Sequence, residues 1–385
     1  MTDGTDTAPH PSVALSRRSL LIGAGLGVAT WLGGRIAGGD RHWRSWPLER
    51  QIAQRFLVGF PGTRIDPGHP IIRDIREHGI GGVVLYDRAG LNITGPRQLR
   101  TLTATLTALA PTPLFIATDQ EGGRVVRLQE SAGFPSTLSA QVLGEMDDLA
   151  CTGRAADGLA HTLIEHGLNL NFAPVVDLNR YPDNPIIGRL QRSFAADPRQ
   201  VARHAAAVVA AHRRRGVIST LKHFPGHGSS LGDSHDGFTD VTQTWRADEL
   251  LPYRQLIERG LCDMIMTAHL FNARIDPTAP ATLSRPTLQG LLRDQLGFRG
   301  VIVTDDLTMG AIARYYSYDT AVIRAMQAGA DLLLIANHRP YIPDIVPQTL
   351  AIVRQAVDRG ALSPADIRVS CRRLMALKAR YRLAV

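Results

Sequence analysis

Carboxylates, imidazoles and guanidinium groups crowd into a few short stretches of this chain. Asp119-Gln120-Glu121-Gly122-Gly123-Arg124 is followed by Arg127, and Asp177 precedes Arg192-Ser193-Phe194. Lys222-His223-Phe224-Pro225-Gly226-His227-Gly228 leads into Asp233-Ser234-His235, and Thr304-Asp305-Asp306-Leu307 comes after His269. A reaction that uses such a set is glycoside hydrolysis, which needs a carboxylate beneath the anomeric carbon and a proton donor above the leaving oxygen. Asp305 is a candidate nucleophile, because it closes an apolar run and a strand end aims a side chain rigidly. A helix N-cap or an ion-pair partner is the alternative for the same residue. His235 lies two residues after Asp233 in a glycine-flanked loop, so the carboxylate could orient the imidazole and stabilise its protonated form. A surface loop contact is the alternative there. His223, His227 and His235 with Asp233 and Asp236 also have the chemistry of metal ligands. Pro225-Gly226 nevertheless breaks the helical i, i+4 spacing of a zincin-like pair, so no metal is expected.

The apolar runs around these segments are the elements that must position them. Eight recur: Phe56 to Phe60, Gly82 to Tyr86, Leu114 to Thr118, Leu170 to Val176, Val217 to Leu221, Met264 to Ala268, Val301 to Thr304 and Asp331 to Ala336. Runs apolar on both faces and separated by helical patterns read as buried parallel strands. The helices have legible ends. Asp197-Pro198 opens one that runs through three arginines to Gly216, Leu99, Leu102, Leu106 and Leu109 form one apolar stripe, and Ser363-Pro364-Ala365-Asp366 starts a basic C-terminal helix. Eight such alternations predict a single (β/α)8 TIM-like barrel over residues 48–385, with the chemistry on loops after the strands. The chemistry-bearing segments all follow strand signals and would converge at one mouth. A doubly wound sheet is the runner-up, but neither Gly122-Gly123 nor Gly226 to Gly228 matches the dinucleotide-binding GxGxxG turn.

Composition narrows the classes further. With 385 residues, 44% hydrophobic and 20% charged, the chain can bury a large core without staples. Cys151, Cys262 and Cys371 are far apart and odd in number, which favours packed thiols over disulfides or zinc. The net charge of +8 is carried almost wholly by arginine: only Lys222 and Lys378 are lysine. The basic residues lack the interleaved aromatics of a nucleic-acid platform, so nucleic acid is not an expected partner. Residues 1–40 are different in kind. Ser16-Arg17-Arg18-Ser19 precedes an uncharged, glycine-diluted stretch from Leu20 to Gly34, which reads as a twin-arginine export signal or a retained N-terminal anchor. An extracytoplasmic location is therefore expected, with association with a wall or membrane surface left open.

These segments resemble the β-N-acetylglucosaminidase branch of glycoside hydrolase family 3. Lys222 to Gly228 with Asp233-Ser234-His235 is similar to the branch signature, and Asp119 to Val125 and Thr304 to Met309 are similar to two further hallmark segments. The resemblance runs from Gln51 to the C-terminus. It implies retaining, cofactor-free hydrolysis of terminal β-linked N-acetylglucosamine, typically from peptidoglycan fragments; a monomer acting on a muropeptide or chitin fragment is expected. It also implies that Asp305 is the nucleophile and His235 the acid/base with Asp233 as its partner. Asp119, Arg127, Arg192, Lys222 and His223 would hold the sugar. A phosphorylase releasing sugar 1-phosphate and a non-catalytic wall-binding barrel are the alternatives. Many family members carry a second α/β domain, for which too little chain follows Asp305 here.

Overall fold

The computed structural model describes residues 43–88, 91–234 and 237–383. The expected export segment at residues 1–40, as well as His235 and Asp236, lies outside the described residues.

Eight strands form one parallel sheet: β1 (Phe56–Gly59), β2 (Gly82–Val84), β3 (Phe115–Thr118), β4 (Leu170–Asn171), β5 (Ile218–Phe224), β7 (Met264–Thr267), β9 (Val301–Val303) and β10 (Leu333–Ile335). They neighbour one another in chain order, β10 pairs back onto β1, and a parallel bridge between Val303 and Leu332 joins β9 to the start of β10. The result is the expected (β/α)8 barrel. Two further short strands, β6 (Thr239–Asp240) and β8 (Leu270–Phe271), pair with each other beyond the ends of β5 and β7.

The apolar runs of the sequence are explained by burial on both faces of every strand. Leu57, Val84, Phe115, Ala117, Ile218, Met264 and Val303 fill the barrel interior. Their alternating neighbours Phe56, Val58, Val83, Ile116, Leu221, Ile265 and Ile302 pack outward against helices. The outward layer includes Leu99, Leu102 and Leu106 of the helix Pro96–Leu109. Asp197 caps the helix Pro198–Arg215 by accepting from the Arg199 amide at 3.0 Å, as its sequence predicts.

Two expected strands have different limits. The run from Leu170 to Val176 keeps regular pairing only over Leu170–Asn171, since Pro174 has no amide to donate, and Val175 then makes an isolated bridge to Lys222. Conversely, β5 continues past Leu221 to Phe224, so Lys222 and His223 are strand residues with fixed backbones.

The C-terminal helix Pro364–Arg380 closes the opposite end. Leu374 and Leu377 enter the interior cluster. Lys378, 1% exposed, donates to Gln54 Oε1 at 2.7 Å and to the Gly81 carbonyl at 2.9 Å, 4.7 Å from the Phe115 ring centroid. Burial pushes this ammonium down to about 7. Gln54 and Gly81 precede β1 and β2, so this is the floor of the barrel, and the mouth lies at the strands' other ends. The three cysteines are free thiols, with Cys371 buried.

Candidate active site

The strand ends bring the sequence-predicted residues to one opening. Asp119, Arg127, Arg192, Lys222, His223 and Asp305 line a single cavity of about 610 Å3, together with Tyr86, Glu121, Met266, Asp306 and Met309. Six of the eight predicted residues are thereby united. Asp233 follows the loop that leaves β5 and is half-buried, whereas His235 is outside the described residues, so the Asp233–His235 contact is too.

One side of the cavity is a buried ion network built across three strand ends. Lys222 Nζ donates to Asp119 Oδ1 at 2.8 Å and pairs with Glu121 Oε1 at 2.7 Å. Arg192 grips Glu121 with two bonds of 2.7 Å each and also donates to the Ile186 carbonyl. Arg127 reaches Asp119 Oδ2 at 3.4 Å. Burial alone would raise both carboxyls, but the cations outweigh it. Lys222 and Arg127 hold Asp119 well below the ordinary carboxylate range, and Arg192 and Lys222 hold Glu121 at about 2. Both are therefore acceptors only at any physiological pH. An ammonium has three N–H groups, and two are committed here, which leaves the third for a hydroxyl in the cavity.

The imidazole side is set by Asp177. Its Oδ1 accepts from the amides of His223 and His227 at 3.1 and 2.8 Å, and its Oδ2 lies 2.7 Å from His223 Nδ1. Arg192 Nη2 faces His223 Nε2 at 3.3 Å, a pattern that puts the His223 proton on Nδ1. Both His227 nitrogens are taken, by Ser230 Oγ at 2.7 Å and Ser234 Oγ at 3.0 Å. Burial pushes His227 down to about 4, with His223 adding to the effect, so its ring is neutral and acts as a strut for the loop. Among the described residues, no three His, Cys, Asp or Glu are grouped to hold a metal ion.

The two adjacent carboxylates after β9 separate into different roles. Asp306 is bound by the Ala336 amide at 2.9 Å, the Thr308 amide at 3.1 Å and the Thr308 hydroxyl at 2.6 Å. Asp305 accepts from the Asp306 amide at 2.8 Å and lines the cavity. His269 was expected at the mouth but is not among the cavity's lining residues. It is buried between Thr282 and the Asp306 carbonyl, at 2.8 Å from each, where it fixes the turn that presents Asp305.

Three contributors escape a reading of residue types. Gln120 clamps the loop after β3 through the amides of Arg127 and Leu128, both at 2.9 Å. Glu121 was visible in its segment, yet nothing there tells that it would meet an arginine 71 positions away. Glu249 is buried under the loop after β5, accepts from Ser229 Oγ and the Gly228 amide, and is pushed by burial up to about 8.

Comparison with known proteins gives a consistent result. The profile of the Glycosyl hydrolase family 3 N terminal domain matches residues 48–377. A β-hexosaminidase of Tolumonas auensis is 39% identical over 273 residues, 69% of this chain and 79% of that protein. One from Nitrosomonas eutropha is 36% identical over 332 residues, 82% of this chain and 87% of that protein. Among solved structures, a glycoside hydrolase family 3 β-N-acetylglucosaminidase from Paenibacillus sp. str. FPU-7 superposes with a TM-score of 0.81 at 35% identity. That match covers 88% of this chain and 63% of the other.

Proposed function

The chain belongs to glycosyl hydrolase family 3 and is a glycosidase of the β-hexosaminidase type, and from that premise we propose a retaining, two-step hydrolysis with Asp305 as nucleophile. One observation carries the reading: Asp305 shares a cavity with the Lys222, Asp119, Glu121 and Arg192 network, while its neighbour Asp306 is tied into the turn. The Asp305 carboxylate attacks the anomeric carbon as His235 passes its proton to the leaving oxygen, giving a glycosyl-enzyme and a free alcohol. Water then attacks the same carbon, gives its proton to His235 and releases Asp305, so two inversions leave the β-anomer. Asp233 stabilises the imidazolium form of His235. Asp119, Arg127, Arg192, Lys222 and His223 grip the hydroxyls and N-acetyl group of a terminal N-acetylglucosamine. No step requires a cofactor.

The substrate proposed is a β-N-acetylglucosamine-terminated wall fragment met outside the cytoplasm by an exported chain. Replacing both Arg17 and Arg18 with Lys should abolish export in a fractionation assay, and unchanged export would refute the signal. Chemistry is tested by NMR on the first product from an aryl β-N-acetylglucosaminide in phosphate buffer. β-configured N-acetylglucosamine is expected. Sugar 1-phosphate would instead establish a phosphorylase, which five cavity arginines (Arg88, Arg124, Arg127, Arg192 and Arg339) would suit. His235→Ala should slow a natural disaccharide far more than an aryl glycoside, whose leaving group needs little protonation. Equal losses would remove His235 from the acid role.

A further inference from the structure

Beside the segment that carries the acid lies a group of aromatic rings that the barrel core does not use. Phe238 is 49% exposed and Tyr315 is 57% exposed. The Phe238 ring centroid stands 5.1 Å from Phe271 and 5.7 Å from Tyr315, tilted by 40° and 63°. The tilted Phe238–Phe271 pair and the edge-on Phe238–Tyr315 pair hold the three rings together as one group. Large exposed apolar groups gathered at one spot mark a recognition surface.

The backbone that carries them is fixed to the catalytic mouth. Phe271 is in β8, which pairs with β6, and Phe238 immediately precedes β6. The Ala311 amide donates to the Ser234 carbonyl at 3.2 Å, which joins the acid segment to the helix Gly310–Ala313. Met309 and Gly310 line the cavity, and Tyr315 lies in the turn just after the helix Gly310–Ala313. The aromatic group thus borders chain that lines the cavity at Met309 and Gly310, and Phe238 follows His235 by three residues in the sequence. A general acid must sit beside the glycosidic oxygen, so the part of the substrate leaving with that oxygen passes over the same side.

We propose that Phe238, Phe271 and Tyr315 are a stacking platform for the sugar ring on the leaving-group side of the scissile bond. This inference rests on the hydrolase reading above. The occupant is a pyranose, whose axial C–H face is apolar and matches an aromatic face, while its hydroxyls stay in water. The platform accordingly selects glycosides whose leaving group is itself a sugar.

The test compares N,N′-diacetylchitobiose with N-acetyl-β-glucosaminyl fluoride, which has no ring on the leaving side and needs no proton donor. Phe238→Ala and Tyr315→Ala should each lower kcat/KM on the disaccharide about tenfold, with the fluoride unchanged within about twofold. Phe238→Tyr, which keeps a ring, should retain disaccharide turnover. Equal losses on both substrates, or no loss on either, would overturn the platform. Failure of the unmodified protein to turn over the fluoride would instead overturn the hydrolase reading, because the fluoride needs only the sugar pocket and the nucleophile.

Discussion

Replacing Lys222 with Met probes the ion network directly. The ammonium is 1% exposed, with Asp119 at 2.8 Å and Glu121 at 2.7 Å. Each charged hydrogen bond contributes about 1.5–3 kcal/mol. Two partly offsetting facts reduce the sum: Met removes the cost of burying an ammonium, and Arg127 and Arg192 remain to hold the carboxylates. A net destabilisation of about 3 kcal/mol at pH 7 is expected, read from urea unfolding. The pH dependence separates charge from packing. Both carboxyls are held below their ordinary values in the folded chain, about 2 for Glu121. Their contribution is complete above the unfolded carboxyl range near pH 4 and is lost as pH falls through the folded values. The gap between the parent and the variant should therefore narrow on acidification toward about pH 2. Lys222→Arg should not restore activity, because a planar fork cannot place donors on two carboxylates and a sugar hydroxyl from the same enclosed point. A loss under 1 kcal/mol at pH 7, or a gap that does not change with pH, would refute the argument.

Other perturbations test the loop that leaves β5 and leads to Asp233. Glu249 is raised above its unfolded value, so it binds a proton in the folded state that the unfolded chain has already lost, and stability should fall as pH rises from about 4.5 to about 8. Glu249→Gln should flatten that decline in unfolding measurements and leave turnover nearly unchanged, whereas Glu249→Ala should lower turnover on a disaccharide by loosening Ser229 and Gly228. A Cβ on Gly228 would stand 1.7 Å from the Leu178 carbonyl oxygen, so Gly228→Ala should cost about 1–3 kcal/mol and displace the loop. Its turnover defect should exceed that of a core variant of equal unfolding free energy. Asp305→Ala should lower kcat by roughly 10⁴-fold or more while the fold, followed by circular dichroism, is unaltered.

The barrel was legible because its strands are buried on both faces, which writes each of them as an unbroken apolar run. What blurred was their extent. Leu170 to Val176 reads as one strand from side-chain types, yet Pro174 stops the ladder after two regular residues, and only backbone pairing reveals it. Thr239–Asp240 and Leu270–Phe271 were not read at all, since two residues have no periodicity. They matter out of proportion to their length, because they hold Phe238 and Phe271 side by side.

The placement of candidate residues was legible where a residue type stands at a strand end, as with Asp305 in the cavity, and illegible where a position depends on a distant partner. Asp305 and Asp306 are the same residue type in sequence, and the Ala336 amide just past β10, with Thr308, is what ties one of them down. Glu121 and Arg192 likewise acquire their roles only when β3 and β4 bring their loops together. Lysine rarity was a better signal than it looked. Lys222 stood out as a candidate, but Lys378 did not, and both prove to be 1% exposed. Each ammonium meets two acceptors: Asp119 and Glu121 on the loop after β3 at the mouth, Gln54 and Gly81 from separate segments at the floor. A compact head on a four-carbon stem meets both acceptors from one enclosed point. In a chain that uses arginine everywhere else, the two lysines sit at buried polar junctions at opposite ends of the barrel, while Arg55 and Arg293 build a third around Asp331.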